Sequence, residues 1–171
     1  IDYSAYDANR LVKLRQPQDL TVLVLRNEED SRGNLMIAEL SQKYPNIIAT
    51  ASMREACQML GLVMDNDGVN VHVDRRQKQF FVRPHLVIGN INDQGAALLS
   101  KIRSVEETRD VPVVLYSVTD PAESDIERVR GLGVDALFPL RYEGYYLKLF
   151  THKIDAMLRP LTLRDNLAEV N

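Results

Sequence analysis

The chain of 171 residues contains a single cysteine, Cys57, which excludes an internal disulfide. Its setting, "REACQML", places it on a helix face, where a buried and inert thiol is expected. No stretch approaches the ~18 consecutive apolar residues of a membrane span. The basic, apolar and small-residue sequence of a secretory signal is absent as well. These absences lead us to expect a cytoplasmic domain. No sign of charge dominates: 21 Lys and Arg stand against 24 Asp and Glu, a net charge of −3. That is too little for broad attraction to nucleic acid or anionic membranes, so neither is expected as a partner of this domain. Internal repeats and low-complexity tracts are also missing. The chain opens on Ile1 rather than Met, as expected of a piece of a longer protein.

What is present is ordinary for one globular domain: 45% apolar and 26% charged residues. Residues 1–20 are mixed and polar and read as an N-terminal arm. "TVLVLR" (21–26) is a continuous β-branched and apolar run, the mark of a strand buried on both faces. "NEEDSRG" opens a helix that Asp30 or Ser31 can cap. "NIIATAS" (46–52) is a second strand, and Ser52 caps a helix over about 53–64. Residues 65–83 alternate at Val69, Val71 and Val73; with "DRRQK" as the turn and "QFFV" as the return, they predict an inserted β-hairpin. "HLVIGN" is the third buried strand, followed by the helix "GAALLSKIRSVEET". "VPVVLYSV" (111–118) is the fourth strand. "DPAESDIERVRGLG" is a helix with Pro121 early and Gly131 and Gly133 at its end. "VDALFPL" is the fifth strand, and a last helix runs over about 143–158. Residues 159–171 are left as a tail or linker. Alternation of strands and helices predicts a parallel sheet covered on both faces.

The pieces "VLVLRNEED", "PHLVIGNIN", "VPVVLYSV" and "GVDALF", in this order, resemble the receiver domain of two-component response regulators across residues 21–158. The resemblance implies a flavodoxin-like, doubly wound five-stranded parallel sheet in the order 2-1-3-4-5, with the hairpin inserted before the third strand. It also implies phosphoryl transfer to an aspartate at the carboxyl ends of the strands. That chemistry needs an acidic pair to hold Mg²⁺, an acceptor aspartate, a hydroxyl and a lysine, because a hard cation must offset charge on the transferred group.

At the matching positions this chain departs from the pattern. The acidic pair falls on Arg26 and Asn27, and a guanidinium repels a divalent cation. The acceptor position is Asn90, an uncharged amide and a poor nucleophile. Ser117 suits the hydroxyl position. The lysine position falls on Leu140, with Arg141 next to it, and the switch aromatic on Leu137, with Phe138 adjacent. Loss of the metal pair, the acceptor and the lysine together points to a degenerate pseudo-receiver without cofactor or metal. Glu28, Glu29 and Asp30 read as acids suited to a helix N-terminus rather than as a replacement metal site.

Other candidates are weaker. His72, Asp74 and His85 are too scattered for a metal motif, and the basic tip at 75–78 reads as a solvated or partner-contacting turn. "GLG" at 131–133 ends a helix rather than cradling a phosphate. No catalytic triad or Cys-His grouping emerges, so no enzyme is expected. The function implied is a non-catalytic signalling module that regulates or assembles an attached or partner effector by protein–protein contact. The alternatives are an atypical phosphorelay receiver and a flavodoxin-like domain that binds a small ligand. On the last helix, Leu147, Phe150, Ile154 and Met157 form the core stripe. That leaves Tyr145, Tyr146 and Leu149 as the expected interface of a homodimer.

Overall fold

The computed structural model describes residues 16–74 and 83–170, with 161–170 described by backbone alone. Most of the N-terminal arm, and the expected hairpin turn and return at 75–82, lie outside these residues. Among the described residues, seven strands and five α-helices follow a short 3₁₀ turn, Pro17–Asp19. In chain order they are β1 (Val22–Leu25), α1 (Ser31–Ser41), β2 (Ile47–Thr50), α2 (Met53–Met59), β3 (Leu62–Met64), β4 (Val71–Val73), β5 (Leu86–Asn90), α3 (Gly95–Ser104), β6 (Val113–Ser117), α4 (Glu123–Gly131), β7 (Ala136–Pro139) and α5 (Gly144–Val170).

The five-stranded sheet is parallel throughout, in the order β2-β1-β5-β6-β7. This is the doubly wound flavodoxin-like order that the resemblance to receiver domains implied. Every residue of β1, β5 and β6 is buried, which explains their unbroken apolar runs. Alternate side chains feed two cores. Leu23, Leu25, Val87, Val113 and Leu115 face α2, α3 and α4. Val22, Val24, Leu86, Ile88, Val114 and Tyr116 face α1 and α5. On α5, Phe150, Ile154 and Leu158 are fully buried, while Leu147 and Met157 pack at the edge of the same core. Cys57 is buried in the first core, and burial pushes its thiol pKa up.

Three boundaries differ from the sequence reading. First, α2 stops at Met59, because Gly61 (φ 76°) turns the chain and Leu62–Met64 becomes extended. Second, the strand expected around Val71 and Val73 is present, and Leu62–Met64 is its antiparallel partner in a hairpin that precedes the third sheet strand. β3 pairs antiparallel with β4, Leu62 opposite Val73 and Met64 opposite Val71, with a turn at 65–70; the turn and return expected at 75–82 lie outside the described residues. Asp67 shapes that turn by accepting from the Val69 and Asn70 N–H groups (2.9 and 3.0 Å), and Gly68 supplies φ 71°. Local turn chemistry outweighs the period-two pattern, and Val69 is left 65% exposed. Third, α5 continues through Pro160 to Val170 instead of ending at Leu158. A proline removes one ladder N–H and disfavours a helix there, yet the flanking turns remain helical.

The glycines at the end of α4 behave as expected, Gly131 as its last residue and Gly133 just beyond. Gly133 takes φ 78°, and its N–H donates to the Arg130 carbonyl, closing the helix. Arg103 then clips this end of the fold together, donating to the carbonyls of Arg109, Val111 and Gly133 and to Asp135 Oδ2 (3.0 Å).

Candidate functional site

Parallel strands bring their carboxyl ends to one edge of the sheet, and there the loops after β1, β5 and β6 open a cavity of about 480 Å³. Asn90, the last residue of β5, lies beside it, 5% exposed, with Tyr116 of β6 as its register partner. Both polar atoms of its amide are hydrogen-bonded within the protein. Nδ2 donates to Asp30 Oδ2 (3.0 Å), and Oδ1 accepts from the Asn92 N–H (2.9 Å).

Asp30 is the central acid of the site. As the N-cap of α1 it accepts from the Gly33 N–H through Oδ1 (2.9 Å). Through Oδ2 it accepts from both Asn90 and the Tyr116 hydroxyl (2.5 Å). Three donors thus converge on one carboxylate. Burial first, and this hydrogen bond second, push the Tyr116 pKa far above the ordinary phenol range. The arrangement needs a glycine in the first turn of α1. A Cβ on Gly33 would lie 2.5 Å from the Tyr116 hydroxyl and 2.8 Å from Asp30 Oδ2.

Asn92 carries the network across to the loop after β6. Its Oδ1 accepts from the Val118 and Thr119 N–H groups (2.8 and 3.1 Å), and its Nδ2 donates to the Thr119 carbonyl (3.3 Å). Asn27 and Glu29 line the opposite wall, where Asn27 Oδ1 accepts from the Glu29 N–H (3.0 Å). Asp93 adds a further acid to the lining.

The other positions singled out by sequence fall elsewhere. Arg26 does not line the cavity, and its Nε is buried without a hydrogen-bond partner. Ser117 is buried, and its carbonyl accepts from the Leu140 N–H (2.8 Å). Leu140 turns into the α1–α5 core at 2% exposure, and Arg141 pairs with Asp120. Leu137 packs on one core and Phe138 on the other, edge-to-face with Phe150 at 6.1 Å. Glu28 offers its carbonyl to Asn34 (3.2 Å). His72 pairs with Asp65 (2.7 Å), Asp74 is buried, and His85 Nδ1 accepts from the Thr21 N–H (3.0 Å) at the start of β1. Among the described residues no three His, Cys, Asp or Glu side chains are grouped to hold a metal ion, and no helix is long and apolar enough to cross a membrane.

The sequence reading missed Tyr116, Arg32, Asn92, Asp93 and Tyr142 as parts of this site. A tyrosine inside an otherwise aliphatic buried strand was the available signal for Tyr116, since a buried hydroxyl requires a partner. Arg32 and Tyr142 carried no such signal.

No family model matches the sequence, and neither does any curated protein. Solved structures do resemble it. The phosphorylated cyanobacterial phytochrome response regulator RcpA superposes with a TM-score of 0.59 at 19% identity, over 80% of this chain and 91% of that one. The Mn²⁺-bound response regulator Rcp1 gives 0.58 at 16% identity, over 80% and 92%. A response regulator receiver domain from Rhodospirillum rubrum gives 0.58 at 20% identity, over 80% and 94%. At such identities the likeness is one of architecture, and it establishes that this chain has the fold of response regulator receiver domains.

Proposed function

We propose that this chain is a pseudo-receiver, a cytoplasmic and non-catalytic signalling module that does not pass through aspartate phosphorylation. It regulates or assembles an attached or partner effector by protein–protein contact. The observation that carries this reading is the state of Asn90. At the end of β5 the chain offers an amide, and both of its polar atoms are already hydrogen-bonded within the protein. The carboxylate beside it, Asp30, accepts three internal hydrogen bonds, which leaves it poorly placed to serve a metal ion. The cation expected from β7 is replaced by the buried Leu140.

The contact surface is assigned to the start of α5. Tyr145 and Leu149 are 57% and 49% exposed, and Tyr146 stacks on Tyr145 with ring centroids 4.4 Å apart. Exposed aromatic and aliphatic groups of this kind are enriched at protein interfaces, and a symmetric homodimer is the simplest use of one such patch. The test is incubation with Mg²⁺ and acetyl phosphate, followed by intact-mass measurement and peptide mapping. The expected result is an unmodified chain. A gain of one phosphoryl group on any residue around the cavity would overturn the proposal.

A further inference from the structure

We propose that Arg32 is a latch that holds the loop between β7 and α5 across the mouth of the cavity and so ties the cavity to the exposed start of α5. The device is separate from the question of phosphorylation and rests on different residues. Arg32 leaves the first turn of α1 and lines the cavity together with Val118 and Tyr142. Its Nη1 donates to the Val118 carbonyl at the end of β6. The guanidinium carbon lies 3.5 Å from the centroid of the Tyr142 ring. One side chain therefore joins three elements that are remote in sequence.

Tyr142 is 81% exposed, so core packing contributes little to holding it. A cation over its π face does contribute. The planar guanidinium suits this use, because it stacks with its face while donating from its edge. The basic residue nearest in sequence does not compete for the position, since Arg141 turns away to Asp120. Leu140, one residue earlier, anchors the loop in the core. The loop is thus fixed at its root, and Arg32 governs its outer part. Release of Arg32 would open that side of the cavity and loosen the loop that leads into Tyr145 at the start of α5. Conversely, a partner that seats itself on the face of the Tyr142 ring that Arg32 covers must displace the guanidinium, and the change would reach Val118 and Asn92 at the cavity wall.

The chain contains no tryptophan, so Tyr142→Trp places a single tryptophan, which can be excited apart from the remaining tyrosines, at the latch. Adding Arg32→Ala in that background should raise acrylamide quenching by up to about a quarter, the share of the ring still covered at 81% exposure, with Arg32→Lys in between. In the native background, Arg32→Ala should speed backbone amide hydrogen exchange at residues 141–146 about tenfold, with amides of β1 and β5 unchanged. Tyr142→Ala, which removes an exposed side chain and spares the core, should give the same local acceleration. No phosphoryl donor enters these measurements, so their outcome is independent of whether the site takes up phosphate. Quenching that does not change, or exchange at 141–146 that stays within twofold in both variants, would overturn the latch. Exchange that rises equally in β1 and β5 would also overturn it, by showing that Arg32 supports the fold as a whole.

Discussion

Replacing Asp30 by alanine isolates what holds the cavity wall in place. The substitution removes the N-cap of α1, at a cost of about 1 kcal/mol. It also leaves the Tyr116 hydroxyl and one Asn90 N–H without their acceptor, at about 1–3 kcal/mol for each group that stays dry. Tyr116 is fully buried, so its hydroxyl bears the larger share. Asn90 lies beside the open cavity, and water can take its N–H. The sum is about 3 kcal/mol, three times the cost of losing a surface cap. Tyr116→Phe removes one hydrogen bond to a charged acceptor and should cost about 1.5 kcal/mol. Because the two changes share a partner, the double variant should be about 1–2 kcal/mol more stable than additivity predicts. Urea unfolding followed by far-UV circular dichroism measures all three, provided the slope with denaturant stays constant. If Asp30→Ala cost only about 1 kcal/mol and added fully to Tyr116→Phe, Asp30 would be a simple helix cap, and the network reading would fail.

Further outcomes follow from the same geometry. Gly33→Ala should destabilise the protein by about 1–3 kcal/mol, since its Cβ would press on the Tyr116 hydroxyl and Asp30; thermal unfolding of the variant beside the double variant Tyr116→Phe, Gly33→Ala checks it, because loss of the hydroxyl removes the shorter of the two contacts and should recover part of the cost. Asn90→Asp should not restore phosphorylation by acetyl phosphate with Mg²⁺. It sets a second carboxylate where Nδ2 now lies 3.0 Å from Asp30 Oδ2, so the variant should lose stability at neutral pH and recover it as the pH falls and the pair takes up a proton. Burial, reinforced by hydrogen bonds to Asp155 and Asp30, raises the pKa of Tyr44 and of Tyr116. A raised pKa stabilises the fold fully below the unfolded value of about 10 and loses that contribution as the pH climbs past it. Alkaline unfolding should therefore set in above about pH 10, with a shallower pH slope in Tyr44→Phe, Tyr116→Phe. Sedimentation should find a dimer in the wild type and a monomer in Tyr145→Glu, Leu149→Glu; a monomeric wild type at high concentration would end the homodimer assignment.

Much of the architecture was written locally. The unbroken apolar runs of β1, β5 and β6 announced strands buried on both faces, and their alternation with helices announced a parallel sheet. The stripe through Phe150 and Ile154 marked the buried side of α5, and Gly131 and Gly133 marked the end of α4. These features depend on periodicity and backbone preference within a short window, which one chain read in order displays. The hairpin was half legible. Its strand Val71–Val73 had the right period, but the period could not choose a partner, and the Asp67–Gly68 turn settled the pairing with Leu62–Met64. The identities at the strand ends, Asn90 above all, could also be read, because parallel topology places them at one edge. What could not be read was how those ends are wired. Asp30 looked like a helix cap, and it is one, but its second oxygen reaches Asn90 and Tyr116, 60 and 86 residues away. Arg32 reaches Val118 and Tyr142 over similar gaps. Such contacts depend on the angle at which α1 crosses the sheet and on the rotamers that packing leaves open. No local pattern encodes either, so only the folded structure decides which side chains meet.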